Sequence, residues 1–88
     1  MNKHILVLIQ GFVYVGDLKF ASGWAKLTDA YNIRQWGTKN GLGELALKGP
    51  QSGTILDPTG TVNAPLSAIV CSIECKGQAW QNYTLSKK

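Results

Sequence analysis

The chain is poor in charge. Asp, Glu, Lys and Arg make up 16% of its 88 residues, where about 25% is usual for a soluble domain. A disordered tail needs high charge and low hydrophobicity, so a hydrophobic content of 44% excludes global disorder. Long apolar runs are also missing. The run His4–Ile9 ends at Gln10 and Gly11, far short of the ~18–20 residues of a membrane span. It is too short and too poorly flanked for a secretory signal as well, so no membrane partner is expected.

Histidine is nearly absent, and that limits chemistry. With His4 alone, a Ser–His–Asp or Cys–His arrangement has one candidate base. The carboxylates Asp17, Asp29, Glu44, Asp57 and Glu74 fall at no spacing that suggests a general acid and base. HExxH, Walker A and CxxC patterns are missing, and Gly37–Gly43 is glycine-rich in the wrong order for a dinucleotide turn. The expectation is a protein that is not an enzyme, with no cofactor and no metal. The two cysteines, Cys71 and Cys75, sit four apart in a run that reads as a strand. That spacing separates their Cα atoms by roughly 13 Å, beyond the ~7 Å a disulfide tolerates. Both are expected as buried small hydrophobes in a reducing cytoplasm.

What the chain does hold is strand material. His4–Ile9 is apolar without alternation, which calls for cover on both faces. Gly11 suggests a bulge or bend, after which Phe12–Phe20 continues as strand. Ala21–Ser22–Gly23 reads as a hairpin turn and Trp24–Thr28 as the returning strand. Asp29 and Ala30 break the pattern before Tyr31–Trp36 resumes it, with Tyr31, Ile33 and Gln35 on one side and Asn32, Arg34 and Trp36 on the other. One short helix is predicted over Leu42–Lys48. Leu42, Leu45 and Ala46 form its apolar stripe, Asn40 or Gly41 its N-cap with Glu44 at the capping-box position, and Gly49 then Pro50 its stop. Residues 49–60 read as a loop with a possible short strand at Thr54–Leu56 and a turn at Pro58–Thr59–Gly60. Ser67–Cys75 reads as a last strand, with Ile69, Cys71, Ile73 and Cys75 as its core face. The tail from residue 76 carries Trp80 and Tyr83, expected against an exposed edge or a neighbouring subunit, and ends in a solvated Lys87–Lys88 pair. The fold class is thus mainly β (α+β): one domain over residues 1–88, a small curled antiparallel sheet or barrel of five to six strands with one short helix. Low charge and many aromatics point to a homo-oligomer.

Nine basic residues against five acidic ones give a formal charge of +4 and a pI near 9.3, which favours anionic partners. The stretch that could serve one is Asn32–Gly43. Backbone N–H groups at a helix start lack internal partners and favour anions. Gly41 and Gly43 allow close approach, Arg34 and Lys39 add charge, and Thr38 and Asn40 add hydrogen bonds. Trp36 offers a stacking face, unless it belongs to the core and the glycines merely shape a tight turn. Tyr14, between Gly11 and Gly16, Tyr31 and Gln10 complete the candidate ligand-binding residues, although aromatics on half-buried strands are ordinary sheet material.

Four blocks carry a resemblance: V-x-V-G-x-L at Val13–Leu18, A-x-x-I-x-x-W at Ala30–Trp36, L-x-E-L-A-x-x-G at Leu42–Gly49, and Ala68–Ile69 followed by Ile73 and Cys75. Over roughly residues 7–80, and most strongly over Ala30–Gly49, the chain resembles a family of small phage-encoded proteins with no established activity. Members of that family carry serine at the position of Gly41 and more arginine and aromatic character around residues 31–35. Here those positions hold Tyr31, Asn32, Arg34 and Gln35, so a strongly basic site does not carry over. The resemblance implies the cytoplasm of an infected bacterial host. By analogy with phage anti-defence sponges, it implies an oligomer that binds a cyclic oligonucleotide or cyclic ADP-ribose-type immune signal without cleaving it. The alternatives are a single-stranded nucleic-acid binder, which needs a continuous basic groove, and an inhibitor of a host enzyme that acts through a flat interface.

Overall fold

A computed structural model describes residues 3–80. Five antiparallel strands form one sheet: β1 (Lys3–Leu8), β2 (Val13–Ala21), β3 (Trp24–Gln35), β4 (Ile55–Pro65) and β5 (Ile69–Glu74), in the order β4-β3-β2-β1-β5. Helix α1 (Leu42–Lys48) lies between β3 and β4, and one helical turn, α2 (Gly77–Trp80), follows β5. The expected curled sheet with a short helix is thus present, and it is not closed. Its two edge strands, β4 and β5, are consecutive in the chain and joined by a three-residue 3-10 turn, Leu66–Ala68. So short a link can join the two edges only if the sheet curls until they approach. The Leu66 N–H donates to the Gly23 carbonyl (3.1 Å), tying this link to the β2–β3 turn.

Curling gives the sheet two cores. Neighbouring residues Ile5 and Leu6 on β1 are both fully buried, which is why that run does not alternate. Ile5 joins Val13, Val15, Tyr31 and Ile33 on the face covered by α1 and α2, against Leu45, Ala46, Cys75 and Trp80. Leu6 joins Leu18, Ala25, Leu27, Ala30 and Ala64 inside the curl.

A bulge in β3 lets one strand supply both cores. Asp17 pairs with Thr28 but Val15 with Tyr31, so three steps on β3 oppose two on β2. Asp29 sits there at φ 50°, a conformation Asp tolerates better than most residues. The extra residue flips the side-chain alternation. Ala25 and Leu27 face the curl, whereas Tyr31 and Ile33 face the helices. Gly16 makes the close approach possible: a Cβ there would meet Leu27 Cδ2 and the Thr28 carbonyl oxygen at 3.0 Å.

Other local expectations need correction. The sharp bend expected at Gly11 goes as far as a full reversal, and no bulge forms there: with Gln10 (φ 67°) and Gly11 (φ 84°) in the left-handed region, residues 9–11 turn the chain back from β1 to β2, closed by Leu8 N–H to the Phe12 carbonyl at 2.8 Å. Pro58–Thr59–Gly60 is not a turn either. It lies within β4, where Pro58 pairs with Tyr31 and Gly60 with Ala30 across register shifts. Proline is tolerated because β4 is an edge. In β5 a register shift opposite Val7 and Leu8 splits the expected core face. Ile69 packs inside the curl, Ile73 and Cys75 pack under the helices, and Cys71 is exposed. Trp80 is not an edge or subunit contact but a core residue, 1% exposed, its indole N–H donating to the Ala46 carbonyl at 3.1 Å. Tyr83 and Lys87–Lys88 lie outside the described residues.

Candidate functional site

The expected site sits where β3 leaves the sheet and enters α1. The helix occupies the predicted residues, with Leu45 and Ala46 buried. It ends at Gly49, whose φ of 81° suits glycine and whose N–H donates to the Leu45 carbonyl at 2.9 Å. Two hydrogen bonds pin the strand exit to the segment before β4: Gln35 Nε2 donates to the Gly53 carbonyl (2.7 Å) and Thr54 Oγ1 to the Trp36 carbonyl (2.6 Å). Trp36, held by its backbone, leaves its side chain outside both cores, with the residue 42% exposed. Thr38 Oγ1 donates to the Gly41 carbonyl (2.7 Å), which rigidifies the loop. Lys39 is exposed, and among the described residues no carboxylate pairs with it.

The loop's positive charge is partly spent within the fold. Arg34 Nε donates to Asp57 Oδ2 (2.8 Å) and a terminal nitrogen to Oδ1 (3.4 Å). This fork, and the carboxylate's charge, raise the guanidinium pKa further above its usual value. The pair is exposed, so breaking it costs little. At the helix start, Glu44 already supplies an anion: its Oε1 accepts the Asn40 N–H at 2.9 Å, and its other oxygen is 3.7 Å from Lys48 Nζ. The predicted capping box is therefore not formed as such: the N-cap is Gly41, which has no side chain to cap with, and Glu44 reaches past it to the N–H of Asn40.

The other expected ligand residues are dispersed. Tyr31 is 3% exposed and packed in the helix-covered core, so its ring cannot serve as an open platform. Tyr14 is half-buried against the core inside the curl, on the opposite face from Tyr31. Gln10 is exposed in the β1–β2 turn. Arg34, Trp36, Thr38, Lys39, Asn40 and Gly41 follow one another along the strand exit and the loop into α1.

A second surface lies at the other end of β3, and the sequence reading missed it. A two-residue turn, Ser22–Gly23, with both φ values positive joins β2 to β3 and places Lys19 directly opposite Lys26. Together with Asp17, Leu18, Phe20 and Thr28 they line an open depression of about 640 Å³, within the size range of small-molecule sites. Trp24 stands next along the same side of β3 and is 50% exposed. The signal was available: a two-residue turn fixes hairpin register, and Lys19 and Lys26 are equidistant from Ser22–Gly23.

Among the described residues no group of three or more His, Cys, Asp or Glu side chains comes together, and no helix is long and apolar enough to cross a membrane. Neither the family models nor the curated proteins compared with this chain match it.

Proposed function

We propose that this protein is a non-enzymatic binding protein that sequesters a phosphate-bearing nucleotide at the β3–α1 loop. Its use would be as a phage-encoded sponge for a host immune signal of the cyclic oligonucleotide or cyclic ADP-ribose type. The observation that carries the reading is the exposure of Trp36, a large aromatic side chain outside both cores and three residues from the unpaired Lys39. A base stacks on the Trp36 indole while a phosphate meets Lys39 and, once displaced from Asp57, Arg34. A second copy of the chain completes the pocket, in keeping with the exposed apolar side chains of Ile9, Phe12 and Val70. The nucleotide is held and released intact, with no bond broken.

The test mixes purified protein with a panel of cyclic dinucleotides and ADP-ribose-type signals, removes the protein, and chromatographs the filtrate before and after heating the protein. One signal should vanish and return unchanged on heating. Trp36→Ala should abolish the capture with the melting temperature preserved, because the side chain fills no core. A signal that returns cleaved, or a panel left untouched, overturns the reading.

A single-stranded nucleic-acid binder is the second reading, favoured by one observation: an exposed tryptophan lies near lysine without a carboxylate partner among the described residues at the start of β3 (Trp24 with Lys19 and Lys26) and again just after its end (Trp36 with Lys39). Affinity that falls steeply with salt would distinguish it.

A further inference from the structure

We infer that the β2–β3 hairpin is a separate binding site for the phosphate of a nucleotide, free or within a single strand. The inference does not rest on the β3–α1 loop. It begins with a local conflict: Lys19 and Lys26 are direct cross-strand partners, and like charges so placed oppose strand pairing. Nothing in the fold relieves them, since among the described residues neither lysine has a carboxylate within ion-pair distance. The one acid lining the depression, Asp17, has its Oδ1 buried, without a hydrogen-bond partner, and 4.0 Å from the Lys3 ammonium on β1. Asp17 is thereby committed to a neighbouring strand. Both lysines are exposed on facing strand positions, so an anion held between their ammonium groups removes the repulsion.

The rest of the surface suits the remainder of a nucleotide. Regular alternation before the bulge places Trp24, Lys26 and Thr28 on the same side of β3, away from the curl that holds Ala25 and Leu27. Successive same-side residues stand about 6–7 Å apart along a strand. Trp24 therefore offers a half-exposed indole face to a base one step from the ammonium pair, and Thr28 a hydroxyl one step to the other side. Strand pairing fixes this spacing before any ligand arrives, which reduces the ordering cost of binding.

The experiment records amide and indole spectra of the full ¹⁵N-labelled chain during separate titrations with AMP and a short oligodeoxythymidylate. The Lys19, Lys26 and Thr28 amides and the Trp24 indole N–H should shift saturably with at least one probe. The double variant Lys19→Gln/Lys26→Gln should weaken that response by roughly tenfold or more, while its spectrum elsewhere remains that of the folded protein. AMP alone moving these signals assigns a free nucleotide; the oligonucleotide moving them assigns a strand, with a salt slope near −1.4 for two displaced counterions. No hairpin shift with either probe at millimolar concentration overturns the proposal, and so does an equal shift in the double variant. Trp36→Ala should leave the hairpin response intact, so this site and the loop site can fail independently.

Discussion

β3 starts at Trp24 and is followed directly by Trp36, and the sheet treats its two ends differently. At the Gln35 end, α1 and α2 cover the strand's core side, Arg34 is forked onto Asp57, and the helix start holds the Glu44 carboxylate. At the Trp24 end, among the described residues, no helix packs against the strand and the facing lysines Lys19 and Lys26 form no ion pair with a carboxylate. Composition is not the cause, since each end has an aromatic side chain and basic residues. The difference lies in where the carboxylates fall: Asp57 on β4 reaches Arg34, whereas Asp17 is drawn to Lys3. Local net charge is a matter of pairing, and pairing depends on register.

The comparison can be broken from its covered end. Trp80→Ala removes a fully buried indole and its bond to Ala46 and should cost about 3–5 kcal/mol in urea unfolding. A loss below about 1 kcal/mol would mean that α2 does not close this core. The boundary between the two ends is Gly16, where a Cβ would press on Leu27 and Thr28. Gly16→Ala should destabilise by about 1–3 kcal/mol, and an unchanged midpoint would show that the bulge relaxes freely.

A pH effect also belongs to the covered end. Burial pushes the Cys75 thiol up to about 12, with Lys3 opposing that rise. The unfolded thiol ionises first, near its ordinary 9.0, so the stability from keeping Cys75 neutral is complete below pH 9. It is lost as pH rises from 9 toward 12. Urea midpoints measured across that window should fall more steeply in the natural protein than in Cys75→Ala; parallel curves would refute the burial. At the bare end, Lys26→Glu turns a repulsive cross-strand pair into an attractive one. It should raise stability by about 0.2–1 kcal/mol while removing the hairpin's response to AMP or oligonucleotide. Smallest of all, Asp57→Asn should leave the melting temperature unchanged, because the pair it breaks is exposed. It should tighten nucleotide capture at the loop by freeing Arg34, and weaker capture would show that Asp57 positions the guanidinium instead.

Much of the fold was legible where adjacent residues decide it. Leu42–Lys48 became a helix because its apolar spacing, its Glu44 cap and its Gly49–Pro50 stop agree within a few residues. The turn predicted over Ala21–Ser22–Gly23 is present one residue shorter: Ala21 ends β2 opposite Trp24, and Ser22–Gly23 alone make the turn. The misreadings occurred where a distant strand decides. Pro58 and Gly60 look like a turn until β3 lies alongside, and an edge strand can then hold them. Trp80 looks like an exposed tail aromatic until α1 presents the Ala46 carbonyl to it.

The candidate site divides along the same line. The strip Arg34–Gly41 could be identified because it is contiguous, while the orientation of Trp36, the neutralisation of Arg34 and the burial of Tyr31 could not. The alternation of Tyr31 and Ile33 against Asn32 and Arg34 is legible in the sequence, yet alternation does not say which face meets the helices. The sequence by itself determined the strand-rich class, the short helix and the place of the β2–β3 turn to within a residue, because short-range propensities and turn geometry act within a few residues. Only the tertiary structure decided which sides were buried and which charges were neutralised. Those outcomes depend on the curl that makes two cores, on the bulge at Asp29 that shifts β3 between them, and on strands that meet only after the chain has closed on itself.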